Sequence, residues 1–170
     1  MLENLVPAEA TERLCQVDLE ALRQRGITTI LLDLDNTITP WRSLDVPADI
    51  GRWVDEARQQ FRVCIVSNTS KMQRLAALRE SLEVEGLGFV SKPWGMRRAI
   101  TKLRIDPGEA VAIGDQLLTD VLGGNMAGCH TILVKPVSDD EFFGTKFVRF
   151  VERLCFGWLK RRGLFRKPWE

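Results

Sequence analysis

The sequence predicts an α/β domain on a mainly parallel, five-stranded sheet, and three patterns predict it. Short, continuously apolar runs recur along the chain, as strands buried on both faces of a parallel sheet require. Between these runs, apolar residues return at helical spacing. Polar residues stand just after four of the runs, where a parallel sheet gathers strand ends of like sense on one edge. At 170 residues, with 45% hydrophobic and 28% charged, the chain has the length and composition of one domain with a sizeable core.

In order, residues 8–25 read as one or two short helices, with Pro7 near the start and Gly26 as the stop. The first strand is 27–35. Pro47 opens a helix marked by Ile50, Trp53, Val54 and Ala57, and the second strand is 62–67. Ser70 is placed to cap a helix carrying Met72, Leu75, Leu78 and Leu82 on one stripe. Gly86 and Gly88 break the chain before a short strand ending near Ser91. Met96, Ala99, Ile100 and Leu103 mark the next helix, and Pro107-Gly108 a turn. Residues 110–114 form a strand, and Leu118, Val121 and Leu122 begin a helix whose Gly123-Gly124 pair lets it approach a neighbour. Residues 129–134 are the last strand, stopped by Pro136.

The strand ends carry the chemistry. Asp33 and Asp35 close the first strand one residue apart, so strand geometry puts both on one side and Leu34 on the other. Two such carboxylates repel unless a cation or a proton separates them, and metal-assisted phosphate chemistry supplies a reason for that cost. Thr37 follows them; Ser67 and Asn68 follow the second strand, Lys92 the third, and Asp115 the fourth, with Asp120 about a helical turn further. Each motif alone has a plain structural reading, such as turn and cap chemistry for 67–70. Their arrival in order at one edge is what points to a site.

The order DLDNT, Ser, Lys, GDQLLTD resembles the haloacid dehalogenase (HAD) superfamily of phosphohydrolases. The resemblance implies a HAD-like Rossmannoid three-layer sandwich. It implies Asp33 as nucleophile and Asp35 as the acid that protonates the leaving alcohol and then activates water. Pumps of the superfamily carry Thr at the second position, so Asp35 argues for a phosphatase. Mg²⁺ would be held by Asp33, the Asp35 carbonyl and Asp115, with Asp120 behind them or bound through water. Ser67 and Lys92 would hold phosphate oxygens, supported by Thr37 and Asn68. A signalling receiver domain uses similar groups, but its Lys comes last, whereas here Asp115 follows Lys92. A scaffold that kept the site without turnover would have no need of Asp35.

HAD enzymes select substrates largely through inserted caps. Residues 41–61 have room for one loop and helix, and 68–92 for one helix and a short strand, so this chain reads as capless. An open site suits a phosphate on a protein, nucleic acid, polymer or lipid surface. Within a net charge of +1, residues 145–170 hold eight basic and two acidic residues, net +6, which leaves −5 for the rest. Residues 145–162 read as a helix ended by Gly163. Phe147, Val151, Leu154, Cys155, Trp158 and Leu159 lie on one half, and Lys146, Arg149, Arg153 and Lys160 on the other. This segment either lies in an anionic membrane interface or packs on the sheet with its charges in water. Both hold if the sheet takes the helix and the membrane takes residues 164–169.

DLDNT-x-TPW, VSN, KP, GDQLLTDVLGGN, TILVKP, EFFGTK and a basic ERL…LKRRGL end resemble the YqeG family of subfamily IIIA HAD phosphatases, over roughly residues 27–164. That family is similar to the fungal mitochondrial phosphatidylglycerophosphate phosphatase. The resemblance implies dephosphorylation of phosphatidylglycerophosphate to phosphatidylglycerol at the membrane. The other enzyme reading is a soluble or protein-borne phosphate, with the basic tail on an acidic partner. Met126 and Ile38 depart from the usual residues at positions away from the proposed chemistry.

Four scattered cysteines without a CxxC pair predict reduced thiols. Glu3, Glu9 and Glu12 argue against a secretory signal, and no apolar run suits a membrane span. The expected location is cytoplasmic, peripheral on the inner face of the membrane, with no nucleic-acid partner. His130, the one histidine, sits inside a strand and is not expected to act as base or zinc ligand. Trp41 and Trp94 are expected to shield the rim of the site or pack in the core.

Overall fold

Among the described residues the sheet has six strands rather than five, all parallel, in the order β1 (Glu9–Thr11), β6 (His130–Val134), β5 (Ala110–Gly114), β2 (Thr29–Leu32), β3 (Arg62–Val66) and β4 (Glu85–Leu87). The computed structural model describes residues 3–138 and 143–169, with side chains from residue 150 in the last helix. The elements are β1 (Glu9–Thr11), α1 (Leu19–Gln24), β2 (Thr29–Leu32), α2 (Ala48–Arg58), β3 (Arg62–Val66) and α3 (Met72–Leu82). There follow β4 (Glu85–Leu87), α4 (Met96–Leu103), β5 (Ala110–Gly114), α5 (Leu122–Ala127), β6 (His130–Val134) and α6 (Phe143–Arg161).

The unexpected strand, β1, lies in the stretch read as helical. It has only three residues and no buried apolar run, and it exists through its partner: it ladders on β6, Ala8 N–H donates to Thr131 Oγ1 (3.2 Å), and His130 Nε2 meets Glu9 (2.9 Å). That contact gives His130 a structural place. The third predicted strand also moves. Gly86 lies inside β4 rather than before it, where a Cβ would stand 2.9 Å from Arg79 Cδ, and the chain beyond turns left-handed at Phe89 and Ser91. Ser70 does not cap α3; Lys71 holds the N-cap position without a side-chain bond.

Strand alternation sorts the core into two faces. Ile30, Leu32, Ile65 and Ile113 join Leu22 of α1, Val54 of α2 and Leu75 of α3 on one side. Leu31, Cys64 and Ala112 join Met96 and Ile100 of α4 on the other, where α5 approaches closely. A Cβ on Gly123 would lie 3.1 Å from Pro93 Cα, and one on Gly124 would lie 2.6 Å from Thr131 Cγ2. These layers make the three-layer HAD-like sandwich. Cys64 and Cys129 are buried, and all four cysteines are free thiols.

α6 packs on this second face. Leu159 is fully buried beside Leu117, Val121 and Leu133, and Glu152 is buried with its carboxylate accepting from Leu118 N–H (3.0 Å). Phe165 and Trp169 pack against the same cluster, so residues 164–169 do not all face outward; Leu154, read as part of the apolar half, is exposed. The helix-packing alternative therefore holds for α6. Residues 141–142 of the EFFGTK motif, its remaining side chains and those of Phe147 and Arg149 lie outside what is described. No helix among the described residues is long and apolar enough to cross a membrane.

Candidate active site

β2 is central, flanked by β3 and β5, with Leu32 in register beside Ile65 and Ile113. The chain runs outward through β3 and β4, then returns to the far side of β2 for β5. That reversal opens a crevice at the carboxyl end of β2, the usual ligand position in such sheets. Asp33 is the residue that follows β2, and its N–H donates to Ile113 O (2.9 Å).

Asp33, Asp115 and Asp120 are all buried, with carboxylate oxygens within 4.8 Å of one another. Lys92 reaches Asp33 and Asp120 from the loop after β4. Its Nζ lies 2.5 Å from Asp33 Oδ1 and 2.6 Å from Asp120 Oδ1, and its side chain is buried. The other oxygen of Asp120 accepts from Gln116 N–H (3.1 Å). Gly114 makes this possible, because a Cβ there would stand 2.3 Å from the Asp120 carboxylate. Thr37, fully buried, donates to Asp115 Oδ1 (3.2 Å).

Burial pushes the Asp33 carboxyl up to about 7; Lys92 pulls it down, and Asp120 and Asp35 add repulsion. Burial disfavours the Lys92 ammonium, but Asp120 and Asp33 outweigh it and hold its pKa above the ordinary lysine range. Three carboxyl groups and one ammonium are thus buried close together, more acid than base. Three carboxylate oxygens gathered this closely are the hard donor set that a small divalent cation takes.

Asp35 occupies a different environment. The strand ends at Leu32, Asn36 is left-handed (φ 63°), and the chain folds back so that Asn36 N–H donates to Thr39 O (2.8 Å). The Asp35 carboxylate faces the rim, partly exposed, where Arg74 Nη1 donates to it at 2.8 Å. Arg74 is the residue the sequence did not single out. It lies on α3, mostly buried, and its Nε donates to Ser43 O (2.8 Å). An arginine at helical spacing reads as a surface residue, so no local signal marked it.

Ser67 is buried at the end of β3, its Oγ accepting from Thr69 N–H (3.1 Å). Asn68 is exposed, and its Oδ1 accepts from Lys92 N–H (2.7 Å), tying the two loops together. Trp94 is 79% exposed and so does not pack in the core. Trp41 lies under the Arg42 guanidinium, 4.1 Å from its centroid. Among the described residues, 41–61 hold a loop and α2, and 68–92 hold α3 and β4, so no cap covers the edge.

Residues 90–137, which include Lys92, Asp115 and Asp120, match the HAD-hydrolase-like family model. The Probable phosphatase YqeG of Bacillus subtilis (strain 168) is 37% identical over 161 residues, 93% of either chain. The chain belongs to the YqeG family of HAD phosphatases. A more distant relative is the Phosphatidylglycerophosphate phosphatase 1, chloroplastic/mitochondrial, of Arabidopsis thaliana, 27% identical over 92% of this chain. The chain spans about half (48%) of that relative's length. The YqeG-family fold is similar to an uncharacterized protein from Listeria monocytogenes serotype 4b. TM-score is 0.56 at 18% identity, over 68% of this chain and 85% of that one.

Proposed function

We propose that this HAD phosphatase is a Mg²⁺-dependent phosphomonoesterase acting on phosphatidylglycerophosphate, with Asp33 as nucleophile and Asp35 as acid and base. The observation that carries the reading is the buried trio of Asp33, Asp115 and Asp120, two of them paired with Lys92, beneath an uncapped edge. An Asp33 oxygen attacks phosphorus, and the bond to the lipid alkoxide breaks as Asp35 gives that oxygen its proton. Asp35, now a carboxylate, takes a proton from water, whose oxygen attacks the aspartyl-phosphate and releases inorganic phosphate and free Asp33. Arg74 keeps Asp35 at the rim, between the nucleophile and solvent.

The shared Lys92 ammonium screens Asp33 from an approaching phosphate dianion. Ser67 and Asn68, at the end of β3, donate to phosphate oxygens, and Thr37 orients Asp115. Asp33, Asp115 and Asp120, with the Asp35 carbonyl, would hold Mg²⁺, which supplies positive charge to the transferring group. The lipid substrate is supported by the name of the Arabidopsis relative and by an edge open to a phosphate on a surface. Such a substrate places the protein peripherally on the cytoplasmic face of the membrane.

The test is phosphate release from phosphatidylglycerophosphate in detergent micelles beside a panel of soluble phosphomonoesters, with Mg²⁺ and with EDTA. Turnover should favour the lipid and stop in EDTA. Faster turnover of a soluble or protein-borne phosphate would give the substrate to that class.

A further inference from the structure

We infer that the loop joining β4 to α4 is a lipid-docking element, in which Phe89 and Trp94 enter the headgroup boundary of a bilayer and Arg98 and Lys102 meet anionic lipid phosphates. Trp94, 79% exposed, and Phe89, 63% exposed, are the two most exposed large hydrophobic side chains among the described residues. They stand two residues after and three before Lys92, whose own side chain points inward to the carboxylates. The loop is pinned to the site, since Phe89 N–H donates to Thr69 O (3.1 Å) and Val90 N–H to Ser67 O (3.1 Å).

Between the aromatics runs a groove of about 390 Å³, with Leu87, Val90 and Ala99 beneath and Arg98 and Lys102 beside it. Met72, also exposed, extends the apolar surface across Gly88. α4 contains Arg97, Arg98 and Lys102 and no acidic residue. Elsewhere on the surface, by contrast, Arg58 and Arg62 face Asp55, Glu83 and Glu85. Among the described residues no acid pairs with Arg98 or Lys102, and apolar surface beside such cations matches an amphiphile with an anionic head. Aromatic rings of this kind favour the membrane–water boundary. The tail aromatics Phe165 and Trp169 pack on the domain instead. Docking there would turn the uncapped edge toward the plane of lipid phosphates.

The experiment uses the full chain with vesicles of phosphatidylcholine, or of an equal mixture with phosphatidylglycerol. Sedimentation is expected with the mixture, and Arg98→Glu combined with Lys102→Glu should weaken it about tenfold or more. Phosphatidylcholine with dibrominated acyl chains should quench tryptophan emission of the wild type. Trp94→Phe should lose most of that quenching while still sedimenting. Turnover of a soluble phosphomonoester should be unchanged in both variants, showing the Lys92 loop intact. Absence of sedimentation, undiminished binding after charge reversal, or quenching that survives in Trp94→Phe would each overturn the inference; the last would give the contact to another tryptophan, Trp41, Trp158 or Trp169. The inference rests on a lipid-borne substrate, yet the two fail separately. Lipid hydrolysis in micelles without vesicle binding sinks the docking surface alone, and docking through Trp94 without lipid hydrolysis sinks the substrate alone.

Discussion

The two ends of the sheet carry charge in opposite ways. At the amino ends of the strands, Arg62 of β3 meets Glu85 of β4 at 2.7 Å, Arg58 meets Asp55 and Glu83, and Thr28 donates to Glu109, all at the surface. At the carboxyl ends, three carboxylates are buried together and two of them, Asp33 and Asp120, share the buried Lys92 ammonium. Exposed pairs contribute little because water already solvates both ions. The buried cluster costs stability, since its acids have lost water without gaining equal compensation. An arrangement that costs stability and persists is where function is to be sought.

The largest expected break in this contrast is Asp33→Asn. Phosphate release should fall by about 10⁴-fold or more, while circular dichroism stays native and the metal-free melting temperature holds or rises. Normal turnover in this variant would remove Asp33 from the chemistry. Asp35→Asn should lose about 10²–10⁴-fold in turnover, and base-labile phosphate should build up on the protein. A variant that never acquires label would place the loss before the covalent step.

Arg74→Ala tests the link between the cluster and its rim. It removes one partner of a largely buried pair, so a stability loss on the order of 2 kcal/mol is expected by urea titration, with kcat reduced and partly rescued in Arg74→Lys. Mg²⁺ at a hundred times its dissociation constant should stabilise the wild type by about 2.7 kcal/mol, read as a higher melting temperature. Asp115→Asn should lose much of that response. At the other end, Arg62→Ala should cost no more than about 1 kcal/mol and leave activity alone. A larger activity effect there than at Arg74 would erase the contrast.

Legibility in the sequence followed how locally each feature is encoded. Strands β2, β3, β5 and β6 announced themselves as apolar runs, because both faces of each are covered. β1 did not, since Glu9–Thr11 is held by its neighbour, and β4 was expected too late in the chain, because Gly86 reads as a break but is small where Arg79 and Ile65 crowd it. Asp33, Lys92, Asp115 and Asp120 were readable as a group, because a parallel sheet brings alike strand ends together whatever lies between them. The different surroundings of Asp33 and Asp35 were not. Strand alternation predicted a shared side, but the chain leaves the strand at Leu32 and turns at Asn36, sending one acid to the interior and the other to Arg74.

The sequence by itself determined the α/β class, the edge on which the polar groups gather, and the family, since these follow from periodicity and from motifs within short stretches. The tertiary structure alone decided which cation answers which acid, the packing of α6, and the outward turn of Phe89 and Trp94. Those are contacts between side chains tens of residues apart. Periodicity tells a residue which face to bury but says nothing of which distant group it will meet there.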